Sequence, residues 1–369
     1  MNKICMVETN DIDYDSRVQN EALALKKNFD LTILARKFSH QDAITKSSYQ
    51  IKRIRYRRFR FGFFNIFSSF WSLSKACFKE NPDVFHAHDI DGLLCAFPAA
   101  LLKRKILIYD SHELWSDIYP FENLRGIHWL LPVLEKVLML KVKAGITVNA
   151  SIAKYLTKKY RKPFLALYNT TQPIVKKAPI NLQKEFPDQK LIIHSGGANE
   201  GRGFEEMLVA MSYLPKDYLL IFLGAGLAKN GIEEKISTLK LKKKVLFLPA
   251  VKPNEVISVV SQADLGLALT QKISLSYYFS LPNKLFQYIN GFIPVLGSNF
   301  PEFKNIIVKN RIGEVVDPKN SKLIAQKIIA MTGKSKQLFY RQNLKKISNQ
   351  FSWAFEANKL EKFYKNLLD

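Results

Sequence analysis

The sequence predicts an α/β protein made of two doubly wound, Rossmann-like domains in tandem, and three observations lead there. Short, nearly continuous apolar runs alternate with helix-periodic segments, as in parallel sheets covered on both faces. The alternation runs once, breaks, and starts again. At 369 residues, 47% of them apolar, the chain exceeds one comfortable core and can bury two.

The first series opens with the strand KICMVE and a helix from about Ser16 to Lys27, followed by the strands LTILA, VFHAH, KILIYD, AGITV and FLALY. The break is NTTQPIVKKAPINLQKEFPDQK, rich in Pro, Lys and polar residues and without periodicity, which reads as a linker. The second series is KLIIHSGG, a helix from about Phe204 to Ser212, then YLLIFLGAG, KVLFLPA, DLGLALT, IPVLGS and GEVVDP. A terminal segment spaces Phe351, Phe355, Leu360, Phe363 and Leu367 along one helical face, so it should pack back onto a domain. The expected division is therefore 1–172, a linker at 173–188, 189–350, and a C-terminal helix at 351–369. Doubly wound sheets take ligands outside the carboxyl ends of their strands, which places the expected site in a cleft faced by both domains.

Charge adds a surface property. The formal net charge is +24, from 56 Lys and Arg against 32 Asp and Glu, enough to attract polyanions or anionic lipid headgroups. Cys5, Cys77 and Cys95 lie in apolar surroundings without metal-ligand spacing and read as small buried hydrophobes in a reducing compartment. The start MNKICMVETN runs into a strand with no signal-peptide pattern. The longest apolar segment, WLLPVLEKVLMLKVKAGI, is interrupted by Glu135, Lys136, Lys141 and Lys143 and reads as an amphipathic helix rather than a membrane span. The segment IKRIRYRRFRFGFFNIF crowds Arg55, Arg57, Arg58 and Arg60 against phenylalanines. That mixture suits an anionic bilayer surface or a single nucleic-acid strand, and equally a strand followed by a buried aromatic helix. No RNA-binding motif accompanies it.

Four stretches carry candidate chemistry. HSGGANEGRGFEEM follows a strand and opens a helix, so Gly196 and Gly197 allow a phosphate close to backbone N–H groups while Arg202 offers a guanidinium. SLPNKLFQY opens another helix near Pro282, which Asn283 or Ser280 could cap, and sets Lys284 and Gln287 three apart on one side. A cation there suits phosphate and an amide suits sugar hydroxyls, although a solvated lysine beside a surface glutamine would give the same spacing. VFHAHDIDG ends a strand with His86 and His88, followed by Asp89 and Asp91; without further ligands at useful spacing it reads as a polar cleft lip and not as a metal site. ILIYDSHELW places Asp110, His112 and Glu113 past the next strand, where a neutral imidazole could meet a substrate hydroxyl or Ser111 could simply cap a helix.

Taken together, DSRVQNEALALKK, DVFHAHDIDG, YDSHELW, AGITVNASIAKYL, SGGANEGRGFEEML, SLSYYFSLPNKLFQY and the terminal FSW resemble glycosyltransferase family 4 over nearly the whole chain. That family has the GT-B fold and contains retaining enzymes that use nucleotide-activated sugars. The resemblance implies that Gly196, Gly197 and Arg202 hold the donor pyrophosphate, with Asn283 and Lys284 beside them. Lys284 stands in for a second basic residue that relatives carry where this chain has Gly197. It also implies that His112 contacts the donor sugar and that Arg17, His88 and Asp89 line the acceptor side.

The family's Glu-x7-Glu motif falls on Phe279 and Gln287. A subgroup with an SLPNKLFEY-type motif also lacks the first glutamate, so Gln287 is the real departure. An amide oxygen can still accept a ribose hydroxyl, at a loss of roughly 1 to 2 kcal/mol of charge assistance. The usual glycine five residues on is Phe292, with Gly291 before it.

The resemblance therefore implies a glycosyltransferase of the hexosyltransferase type that moves a sugar from a nucleotide-sugar donor to a lipid-linked or polysaccharide acceptor in cell-envelope glycan synthesis. No cofactor or metal is expected, and a cytoplasmic protein resting on an anionic membrane, without nucleic acid, is. The alternative that Gln287 raises is a catalytically weakened sugar-nucleotide-binding partner of an envelope glycan assembly complex.

Overall fold

The computed structural model describes residues 1–38, 49–57, 62–117, 125–170, 177–197, 200–224 and 232–368. Chain contacts divide it into two compact units, Met1–Asn169 with Glu356–Asp369, and Thr170–Phe355.

The first unit is a seven-stranded parallel sheet. Its strands are β1 (Lys3–Glu8), β2 (Asp30–Arg36), β3 (Gln50–Ile54), β4 (Val84–His88), β5 (Ile106–Ser111), β6 (Ala144–Thr147) and β7 (Phe164–Ala166), in the spatial order β3-β2-β1-β4-β5-β6-β7. The apolar runs become strands because they are buried on both faces: Met6, Val7, Phe85, Ala87, Ile108 and Tyr109 are fully enclosed. Burying each such large side chain is worth about 1.5–3 kcal/mol. Strand order reverses between β1 and β4, which pair in parallel from Ile4 with Val84 to Val7 with Ala87. The carboxyl ends of those two strands carry Glu8 and His88. The C-terminal helix Trp353–Leu368 joins this unit through Tyr364, whose hydroxyl lies 2.7 Å from His86 Nδ1.

The second unit is a six-stranded parallel sheet. It contains β8 (Lys190–Ser195), β9 (Tyr218–Leu223), β10 (Val245–Leu248), β11 (Leu265–Ala268), β12 (Val295–Ser298) and β13 (Gly313–Val316), ordered β10-β9-β8-β11-β12-β13. Here the reversal falls between β8 and β11, and the Gly196–Gly197 turn follows the first of them. Much of the region read as a linker is anchored: Asn181 caps a helical turn at Leu182–Glu185, Leu182 is fully buried, and Gln262 accepts from the Leu182 N–H and donates to the Ile180 carbonyl.

Two sequence readings change. Glu135, read as an interruption of the apolar segment, is 1% exposed and receives hydrogen bonds from Tyr109, Tyr160 and Lys159. Leu130, Val133 and Val137, on the same Arg125–Met139 helix, are exposed instead. On β3 and beside it, Lys52 and Arg53 pair with Glu80 and Asp13, so part of the basic segment is spent within the fold. Arg55 and Arg57 are exposed, while Arg58 and Arg60 lie outside the described residues. Among the described residues no helix is long and apolar enough to cross a membrane.

Candidate active site

In the second unit, three side chains of the Asn283–Asn290 helix converge on the end of β8. Lys284 Nζ lies 2.6 Å from His194 Nε2, Gln287 Oε1 accepts from Ser195 Oγ at 2.8 Å, and Tyr288 Oη accepts from the Ser195 N–H at 2.9 Å. The helix can sit this close because β11 carries Gly266, where a Cβ would fall 2.5 Å from the Tyr288 ring. Pro282 is the N-cap, and neither proposed residue caps the helix: Asn283 is its exposed first residue, and Ser280 Oγ instead donates to the Tyr277 carbonyl. The first turn therefore keeps N–H groups without a side-chain cap.

The glycine turn is built the same way. Gly196 has φ +108°, a conformation L side chains rarely adopt, and its backbone passes beside the Lys284 ammonium. Gly203, at φ +70°, is the N-cap of the Phe204–Ser212 helix, again with no side-chain cap, and a Cβ there would meet the Leu269 carbonyl oxygen at 2.7 Å. Arg202 lies just before it, half-buried, with its guanidinium 4.9 Å from the centre of the Tyr277 ring. Lys284 is 9% exposed, and burial together with Arg202 depresses its pKa well below the ordinary lysine range. The sequence-predicted donor set of Gly196, Gly197, Arg202, Asn283, Lys284 and Gln287 thus falls on the turn after β8 and the helix facing it.

In the first unit, His112 is the most open member of a buried ionic cluster, its side chain 15% exposed. Its ring nitrogens lie 3.4 Å from Asp89 Oδ2 and 3.4 Å from Asp110 Oδ2, and His88 Nδ1 is 3.4 Å from His112 Nε2. Burial works to lower the His112 pKa, but the Asp89 and Asp110 carboxylates outweigh it and lift it to about 10. The residue is an imidazolium, not the neutral imidazole the sequence reading assumed. Its neighbour His88 is held neutral, pushed down to about 3 by burial and by His86.

Arg17 and Asp89 frame this cluster from inside. The Arg17 guanidinium is 3% exposed, pairs with Asp110 at 2.8 Å and Glu21 at 3.0 Å, and donates to the Leu167 carbonyl. Asp89 takes φ +55° at the head of the Asp89–Leu102 helix and accepts from the His112 N–H and the Trp115 indole. A non-glycine residue in that region costs about 1–3 kcal/mol and is found where a side chain must be aimed. Glu21, His86, His88 and Asp110 bring possible metal-ligand atoms within 4.8 Å of one another, but Arg17 is the cation that engages both carboxylates.

The family model for glycosyl transferases group 1 matches residues 178–365, which contain the whole of this glycine turn and its facing helix. The chain belongs to that family. A second model, glycosyltransferase family 4, matches residues 16–169. Solved structures agree on the fold: sucrose-phosphate synthase from Thermosynechococcus elongatus superposes with a TM-score of 0.80 at 14% identity, over 100% of this chain and 99% of that one. Anabaena HepE in complex with UDP-glucose gives a TM-score of 0.76 at 12% identity, over 98% and 99%. A protein described as a putative UDP-N-acetylglucosamine 2-epimerase from Listeria monocytogenes gives 0.66 at 13% identity, over 100% and 97%. No curated protein sequence matches the chain.

In this GT-B glycosyltransferase, sequence reasoning overlooked four polar groups at strand ends or on an inward helix face: Glu8, Glu21, His194 and Ser195, all buried. The signal was available in part, since a histidine and a serine closing the apolar run KLIIHS are out of place in a core strand unless something satisfies them.

Proposed function

We propose that the enzyme is a retaining transferase that moves a sugar from a nucleotide-sugar donor to a lipid-linked or polysaccharide acceptor of a cell-envelope glycan. The observation that carries this reading is the convergence of Lys284 and Gln287 on the end of β8, beside the Gly196 turn and Arg202. Two basic side chains, backbone N–H groups at two uncapped helix starts and an amide beside them suit a nucleoside diphosphate. HepE, similar in fold, binds UDP-glucose.

In the proposed reaction the bond from the anomeric carbon to the β-phosphate oxygen breaks, and its electron pair leaves with the nucleoside diphosphate. The acceptor hydroxyl oxygen forms the new bond on the same face, and its proton passes to the departing phosphate. Arg202 and Lys284 meet the leaving-group charge, so the proposal needs no resident metal or cofactor. His112 acts on the transferred sugar as a donor, with Asp89 and Asp110 holding its ring and charge and Arg17 anchoring Asp110. Transfer assays with UDP-, GDP-, ADP- and CMP-sugars and membrane-extracted acceptors should show turnover with one donor class; no binding, hydrolysis or transfer with any of them would refute the reading.

Gln287 favours a second reading, a weakened sugar-nucleotide-binding partner, because its amide oxygen already accepts from Ser195. Gln287→Glu separates the two. A tenfold or greater rise in turnover marks a decayed site, whereas unchanged or lower turnover marks an enzyme specialised around the amide.

A further inference from the structure

We propose that His194 is a positioning residue for the donor phosphates, holding the Lys284 ammonium against the Gly196 turn through its Nε2 lone pair. The inference rests on the nucleotide-sugar reading above and adds a residue that neither the family motif nor its spacing singles out.

Four observations carry it. His194 Nε2 and Lys284 Nζ are 2.6 Å apart, and both residues are buried, His194 to 1% and Lys284 to 9% exposure. In the protonated form that an arriving diphosphate favours against burial and Arg202, Lys284 can only donate, and the imidazole nitrogen facing it is then the acceptor. The ring cannot swing away: it stands edge-on to Phe204, with centroids 4.9 Å apart, and 5.8 Å from Phe222. Burial, Lys284 and Arg202 all keep this imidazole neutral.

The consequence for binding follows from the donor count. Lys284 has three N–H groups and spends one on His194. Its ammonium lies 3.7 Å from where a Gly196 Cβ would stand, beside the turn on which the phosphates are proposed to rest. A flexible lysine would have to be ordered and stripped of water as the diphosphate arrives. Here the protein has done both before the ligand binds, and the diphosphate replaces the missing countercharge.

The test compares UDP, GDP, ADP and CDP with their parent nucleosides by calorimetry, in the wild type, His194→Phe, His194→Gln, Lys284→Met and the double variant His194→Phe/Lys284→Met. His194→Phe keeps the aromatic packing and removes the acceptor; His194→Gln keeps an acceptor if the aromatic variant folds poorly. The expected result is about a tenfold or larger loss of affinity for the cognate diphosphate in His194→Phe. Nucleoside affinity should stay unchanged, His194→Gln should recover part of the loss, and the Phe substitution should have no further effect once Lys284 is Met. Equal losses for nucleoside and diphosphate, unchanged diphosphate affinity, or losses that multiply independently in the double variant would overturn the positioning role alone. If the wild type binds none of the four diphosphates, the nucleotide reading falls and this inference with it.

Discussion

His112 shows how a single residue's role is set by what encloses it. At an exposed position its imidazole would titrate near 6.5, but between Asp89 and Asp110 it keeps its proton to about 10. A base that binds its proton more tightly in the folded state stabilises that state fully below the unfolded pKa and progressively less as pH rises through the folded one. The wild type should therefore lose thermal stability between about pH 6.5 and pH 10. His112→Gln, which cannot carry the charge, should be less stable at pH 6 and converge on the wild type by pH 10. Unfolding midpoints at four pH values across that window decide the matter, and parallel curves for the two proteins would show that the carboxylates do not hold this charge. None of this was readable from YDSHELW, because Asp89 belongs to a different strand end and reaches His112 only once β4 and β5 pair in register.

At the scale of elements, what could be read was periodicity. Twelve of the strand segments follow from apolar runs, and the helix Phe204–Ser212 begins and ends where its pattern does. β3 was missed as a definite strand because its adjacent lysine and arginine read as a basic surface, whereas Lys52 and Arg53 pair with Glu80 and Asp13. The Arg125–Met139 helix was legible as amphipathic, but not which face it buries: Glu135 is held by two tyrosines from distant segments, and a sequence window cannot see such partners. At the end of the Asn283–Asn290 helix, Gly291 invited the left-handed position, yet Gly291 has φ −84° and Phe292 takes φ +54°. The strained residue stands where the family resemblance expects glycine, so the turn forms here without that signal. The glycine turn proposed for the donor was legible because glycines, a cation and a helix start lie within one short segment; His194 was not, because its partner is 90 residues away.

At the scale of the whole molecule, the +24 charge and the exposed apolar residues ask for a common explanation. On the Gly62–Lys79 helix, Phe64, Phe67, Trp71 and Phe78 are exposed along one stripe, with the Lys75 ammonium 5.1 Å from the Trp71 ring centre. The Arg125–Met139 helix turns Leu130, Val133 and Val137 outward, and Leu140 follows it. Exposed apolar side chains on a strongly basic protein suit the headgroup boundary of an anionic bilayer, where each nearby Lys or Arg adds about 1 kcal/mol and salt weakens the charge component. Nucleic acid would use the charge but not the aliphatic face. The protein should therefore sediment with vesicles containing phosphatidylglycerol and much less with pure phosphatidylcholine, and moderate salt should reduce but not abolish the binding. Phe67→Ser/Trp71→Ser should release most of it while leaving transfer to a water-soluble acceptor intact, since neither residue belongs to the site. Equal binding to neutral and anionic vesicles, or full binding by the double variant, would mean that the charge and the apolar stripe serve something other than a membrane.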